Sequence, residues 1–279
     1  MLGTLAAPST SRFVEANGIK LHYLDYGTAG CPPMVCVHGG AAHAHWFDFV
    51  AAGLTPDHHV FAPDLRGHGD SAWADPNSYS FETHAGDINA FLEKLDLNDV
   101  VLVGHSMGGM ISLLYAATHS GRVSKLIIVD STMLMPMDRV TKMREFSARP
   151  GKSYATQDEL IARFRLEPAE SQLAATEVIQ RMATHSGRQD SEGRWQLKAD
   201  RKVYTNFQQV PGVPLWEKIK VPALVIKGGH SKRFGPEVLA EIRAIAPQVQ
   251  SAEVPASDHH ITLENPQGFV DVVRKFLSS

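Results

Sequence analysis

Cysteine is nearly absent from this chain: Cys31 and Cys36 are the only two among 279 residues. Two thiols make no disulfide framework, and Cys36 lies inside the apolar run Met34–Val37, where it reads as an inert buried thiol. A reducing compartment, the cytoplasm, is the expected location. Long hydrophobic runs are missing as well. No stretch approaches the ~18 residues that a membrane helix needs, so no membrane span is expected. The opening residues MLGTLAAPSTSR have neither a basic start nor a long apolar region, which argues against a secretory signal. Strong charge of either sign is also lacking. A formal net charge of −3 gives no electrostatic footprint for nucleic acid or an anionic membrane surface. Repeats and low-complexity stretches are absent too. What is present is 43% hydrophobic residues in a chain long enough to bury one large core.

The apolar residues follow an alternating rhythm. Arg12–Ala16 and Lys20–Asp25 flank Asn17-Gly18, a hairpin signal. Pro33–Val37, His59–Ala62, Val100–Val103, Lys125–Val129, Ala223–Lys227 and Ser251–Val254 read as strands. Helices are expected at Trp46–Leu54, Phe81–Leu95, Met110–His119, Glu237–Ile245 and Gly268–Leu277. Strand–helix alternation predicts an α/β fold, a mostly parallel central sheet with helices on both faces. The rhythm breaks between residues 135 and 212, where no strand is evident and Asp158–Leu166 and Ala169–His185 read as helices. That segment carries 13 basic against 10 acidic residues, and the remainder 14 against 20. The expected organisation is therefore a body, residues 1–134 and 213–279, with an inserted helical cap at 135–212.

The densest information lies in Gly104-His105-Ser106-Met107-Gly108, which follows a buried strand and opens a helix. A serine on a sharp strand-to-helix turn has an exposed Oγ, and small flanking residues let other elements approach it. The helix beginning there points its N-terminus at the site and favours negative charge. His38-Gly39-Gly40-Ala41, after another buried strand, is a loop suited to present backbone donors. A tetrahedral intermediate needs two such donors, and the N–H groups of Gly40 and Met107 are the candidates. The segment Val254 to His260 ends a strand with two histidines, side chains whose near-neutral pKa suits a general base. Pro63–Ser71 is rich in turn residues and reads as a structural loop.

Together these segments resemble the α/β-hydrolase fold superfamily, in its serine-nucleophile branch with a helical cap. The resemblance spans about residues 10–277 and implies Ser106 as nucleophile with Gly40 and Met107 as oxyanion donors. It selects His259 as base, because the family's histidine stands five residues before an acid–x–Pro element, here Glu264-Asn265-Pro266. Serine in place of aspartate separates the chain from the dehalogenase and epoxide hydrolase branches. The chain departs from the family at the triad acid. The loop after Ala223–Lys227 usually carries an aspartate; here it reads Gly228-Gly229-His230-Ser231-Lys232-Arg233-Phe234, with Lys232 at the usual place. A lysine cannot accept the histidine Nδ1–H. Some family members take the acid from the strand end after the nucleophile helix, which makes Asp130 the leading candidate. Glu237, or no acid at all, are the alternatives.

The resemblance implies hydrolysis of a carboxylic ester, thioester or lactone of a small, largely apolar substrate through an acyl-enzyme. C–C bond hydrolysis, cofactor-independent oxygenation and a non-catalytic ligand-binding role compete with it. His38, Trp46, Met133, Leu134 and Met135 are candidate substrate contacts around an apolar pocket, with His38 also suited to bracing its loop. Trp195 and the arginines of the insert read as solvated surface, contact with a substrate carboxylate being the alternative. His43 and His45 have no metal-ligand spacing with an acid or a cysteine, so no metal and no cofactor are expected. A small molecule is the expected partner, with a homodimer left open.

Overall fold

The computed structural model describes residues 5–167 and 173–279. The chain opens with a hairpin, β1 (Thr10–Ala16) and β2 (Ile19–Asp25). Asn17 and Gly18 both take positive φ, 50° and 71°, as a two-residue hairpin turn of the primed type requires. Then follow β3 (Pro33–Val37), α1 (Asp48–Leu54), β4 (His59–Pro63), α2 (Phe81–Lys94), β5 (Val100–His105), α3 (Met107–Thr118) and β6 (Val123–Val129). After the inserted segment the alternation resumes with β9 (Ala223–Gly228), α7 (Pro236–Ile245), β10 (Gln250–Val254), α8 (Ile261–Glu264) and α9 (Pro266–Leu277).

Eight strands form one sheet in the order β1-β2-β4-β3-β5-β6-β9-β10. The pairs β1–β2 and β2–β4 are antiparallel, and every other pair is parallel. Central parallel strands are covered on both faces, which is why their sequences are continuous apolar runs. In β5 the side chains divide as the pleat demands: Val101 and Val103 join the apolar cluster containing α1 and α9, while Val100 and Leu102 join that of α2, α3 and α7. Each fully buried aliphatic side chain contributes about 1.5–3 kcal/mol of burial free energy.

Between β6 and β9 the chain leaves the sheet. The insert holds α4 (Met137–Ala148), α5 (Gln157–Arg163), α6 (Thr176–His185) and a small hairpin of β7 (Gly187–Gln189) and β8 (Trp195–Leu197). The hairpin corrects the strand-free expectation. Its strands have only three residues each and are half exposed, too short for a period-two pattern to register. Helix α4 was also not anticipated, because only Val140 and Ser147 of its twelve residues are buried. The helix expected from Asp158 ends at Arg163, and the part of the next expected helix at 169–172 lies outside the described residues. Val178, Met182 and Ala183 of α6 pack into the body's core. A buried carboxylate reinforces that junction: Asp48 accepts hydrogen bonds from Arg181 Nε at 2.6 Å and Tyr26 Oη at 2.7 Å.

Candidate active site

Three side chains from three different connections meet above the carboxyl ends of β5, β6 and β10. Ser106 stands between β5 and α3 with φ 54° and ψ −118°, a strained backbone that turns its Oγ outward. The turn is over-determined. The Ser106 N–H donates to the Val129 carbonyl at 2.9 Å, and the Ser106 carbonyl accepts from Gly109 and Met110. Gly108 is obligatory there, because a Cβ would run into the Val37 and His38 carbonyl groups. His259 Nε2 lies 3.0 Å from Ser106 Oγ, and His259 Nδ1 lies 2.7 Å from Asp130 Oδ2. Asp130, with φ 45°, directly follows β6. Its carboxylate is the acid that reaches the histidine, whereas Glu237 is exposed on the first turn of α7.

The loop after β9 supplies something other than an acid. Lys232 is exposed, while the neighbouring Ser231 is buried and donates its hydroxyl to Asp130 Oδ2 at 2.7 Å. One carboxylate oxygen thus accepts from both Ser231 and His259. The β9 and β10 loops pack closely at Gly228, where a Cβ would collide with the Asp258 carbonyl. A further clamp comes from His105, whose Nε2–H donates to the His259 carbonyl at 2.8 Å. Burial drives the His105 pKa down to about 3, so its ring is neutral.

Electrostatics sort the pair by role. Burial, helped by the positive charge of Arg139, lowers the His259 pKa to about 4. Burial raises Asp130 to about 6, opposed by the Ser231 hydrogen bond and nearby positive charge. At neutral pH the histidine is therefore uncharged and the aspartate an anion that accepts its Nδ1–H. We expect Ser231→Ala to remove a donor from the charged carboxylate and raise the Asp130 pKa further. The acidic limb of the pH–kcat profile should move to higher pH while the neutral-pH rate falls several-fold; an unshifted limb would reduce Ser231 to packing.

Ser106 opens into a cavity of about 470 Å³, within the range of small-molecule sites. Gly40, Met107 and His259 line it from the body, and Met135, Arg139 and Tyr204 from the insert. Met107 is the first residue of α3, so its N–H is among those a helix leaves without an intrahelical acceptor. Of the five anticipated substrate contacts, Met135 stands in the wall and the others do not. His38 is fully buried, with Nδ1 against the Gly39 carbonyl at 2.7 Å and Nε2 accepting from the Leu65 N–H at 3.0 Å, so it braces its loop. Trp46 is buried beneath the site, edge-on to His43. Met133 packs into the core below the insert, and Leu134 is 58% exposed. His260 also lines the cavity, beside His259. Arg139 lines the cavity, against the solvated-surface reading of the insert arginines, and Tyr204 and Phe207, which carry no sequence signal, line it too. They come from parts of the insert whose position over the sheet is tertiary information.

His43 and His45 lie apart from the cavity. His43 Nε2 contacts Ser186 Oγ at 3.0 Å, and His45 Nδ1 donates to Asp48 at 2.9 Å while its ring stacks on His185. His45, Asp48 and His185 place donor atoms within 4.8 Å of one another, an arrangement that spacing along the chain did not reveal. Asp48 is already engaged by Tyr26, His45 and Arg181.

Among the described residues, no helix is long and apolar enough to cross a membrane. The alpha/beta hydrolase fold family matches residues 32–266. The 3-hydroxybutyrate-oligomer hydrolase of Cupriavidus necator is 28% identical over 88% of this chain and 89% of its own. The N-formylmaleamate deformylase of Pseudomonas putida is 28% identical over 95% of both chains. In structure the chain is similar to E-2-(acetamidomethylene)succinate hydrolase, with a TM-score of 0.86 and 20% identity over 98% of this chain and 100% of the other. The matched segment contains β3, Ser106, Asp130 and His259, and the sheet, the serine turn and the histidine loop follow in one order. With most of its length and all three of these positions inside that match, the chain belongs to the alpha/beta hydrolase fold family.

Proposed function

We propose that this protein is a serine hydrolase that cleaves the carboxylic ester, thioester or lactone bond of a small molecule through an acyl-enzyme. The observation that carries the reading is the continuous relay Ser106 Oγ, His259 Nε2, His259 Nδ1, Asp130 Oδ2, with separations of 3.0 and 2.7 Å. Ser106 Oγ attacks the carbonyl carbon as its proton passes to His259 Nε2. The imidazolium that forms is stabilised by Asp130, and the N–H groups of Gly40 and Met107 hold the oxyanion. His259 then returns the proton to the leaving oxygen or sulfur. A water, activated by the same nitrogen, attacks the acyl-enzyme, releases the acid and restores Ser106. The insert lies over this chemistry, with Tyr204 and Met135 in the cavity wall, and serves as a cap that shapes the acyl site. Relatives described as hydrolases, esterases and a deformylase support a hydrolytic reading.

The direct test is covalent. A fluorophosphonate should add one phosphonyl group to the chain, and peptide mass spectrometry should place it on Ser106. An unlabelled serine in the folded protein would overturn the acyl-enzyme reading and return weight to a ligand-binding role.

A further inference from the structure

The cavity wall is largely apolar, with Phe81, Met110, Met143 and Phe207 among its residues, yet it holds three cations, Arg139, Lys142 and Arg233. Glu167 is the one acidic residue among the described lining residues. The cations differ in their surroundings. Lys142 is mostly exposed and pairs with Asp138 at 3.2 Å. Arg233 follows Ser231 in the β9 loop, its backbone N–H donating to the Ser231 hydroxyl at 3.2 Å. Arg139, in the first turn of α4, is half buried, and its guanidinium makes no hydrogen bond or ion pair with any described residue. Other arginines of the insert are tied down. Arg144 donates twice to the Phe207 carbonyl, Arg181 pairs with Asp48, and Arg194 donates to Ser153.

A guanidinium lining a largely apolar cavity with no ion-pair partner among the described residues is costly, and such groups mark ligand sites when they share a cleft with reactive side chains. Its planar fork matches a carboxylate, which it binds through two parallel charge-assisted hydrogen bonds. Arg139 and Ser106 line the same cavity of about 470 Å³, so one small molecule could meet both.

We infer that the substrate of this site carries a carboxylate of its own, separate from the scissile carbonyl, and that Arg139 binds it. The inference rests on the serine-hydrolase reading and specifies its substrate as the half-ester, half-thioester or carboxylated lactone of a small diacid. Arg139 is on this account the specificity-determining residue, and Lys142 and Arg233 add a positive field that draws the anion in.

The test uses the full chain and 4-nitrophenyl half-esters of glutaric, adipic and pimelic acids, each beside the isostere in which a carboxamide replaces the free carboxylate. The expected result is a kcat/KM for the best half-ester about 10- to 100-fold above that of its carboxamide, mostly through KM. Arg139→Met should collapse this ratio to about one, Arg139→Lys should restore part of it, and the exposed Lys232→Ala should leave it alone. Ser106-dependent turnover with no preference for the carboxylate would overturn the inference and leave the hydrolase standing. A binding arm keeps the two apart. In Ser106→Ala protein, monomethyl glutarate should shift the NMR resonances of α4 and the β9 loop, and methyl 4-carbamoylbutanoate should not. If neither ester is turned over by the natural chain, the hydrolase reading fails. Selective binding that is lost on adding Arg139→Met would then still support the carboxylate site, and equal or absent binding would remove it.

Discussion

Asp130→Asn is expected to lower kcat for an ester substrate by about 10⁴-fold at neutral pH, with the fold intact by circular dichroism. The cause is the tautomer. In the natural chain Asp130 Oδ2, 2.7 Å from Nδ1, accepts a hydrogen there and leaves the Nε2 lone pair facing Ser106 Oγ. An asparagine NH₂ at that place offers a hydrogen instead, so the histidine turns its Nδ1 lone pair inward and carries its proton on Nε2, where it cannot act as a base. The pH profile should change with it. Natural enzyme should gain activity as pH rises through about 6, where Asp130 ionises, and level off above, since His259 with a pKa near 4 is already neutral there. The variant should lose the limb near pH 6. Glu237→Gln, on an exposed helix turn, should match the natural chain. A mild effect of Asp130→Asn, or a large one of Glu237→Gln, would remove Asp130 from the relay.

The larger loss is expected from Ser106→Ala: about 10⁶-fold in kcat, measured as 4-nitrophenol release from short-chain esters. On the proposed mechanism, removing Oγ removes the acyl-enzyme itself, and what remains is water attack on a carbonyl held by the oxyanion donors, worth about 10³–10⁴ over the uncatalysed reaction. The substitution adds no clash, as Ala is smaller and the positive φ of Ser106 is held by the Val129, Gly109 and Met110 hydrogen bonds. Hydrolysis that survives the substitution would belong to another group and would end the serine mechanism for this chain. Combining the two substitutions should cost little more than Ser106→Ala alone, because the residues act as one unit.

Much of the sheet is legible in the sequence because central parallel strands advertise themselves. Val100 to Val103 and Lys125 to Val129 are apolar runs bounded by turn residues, and they correspond to the β5 and β6 ladders. Helix α2 is equally plain, with Ser80 capping it and Ile88, Phe91 and Leu92 on one buried face. The serine turn is legible for a local reason, since its glycines answer a steric demand within a few residues. Helix α4 is opaque because it buries so little of itself that its sequence, MDRVTKMREFSA, carries no apolar stripe. The cavity is opaque for a different reason. Arg139, Tyr204 and Phe207 are spread over 69 positions of the insert and converge only when it folds over the sheet. Trp46 and Met133 show the converse error: large apolar residues near a motif are more often the floor beneath a site than its wall. Ser231 was visible in the sequence as the neighbour of a missing aspartate, but its bond to Asp130 spans a hundred residues.

The serine and the aspartate lie at the ends of β5 and β6, strands paired residue for residue from Val101–Lys125 to His105–Val129. Their separation is thus set by the interstrand spacing, the least adjustable length in a protein. The loop after β9 inherits none of that duty. That loop can be recharged at an exposed position such as Lys232, while Ser231 keeps it tied to Asp130. Charge at that position can vary while Ser106 and Asp130 stay in the register that the two strands impose.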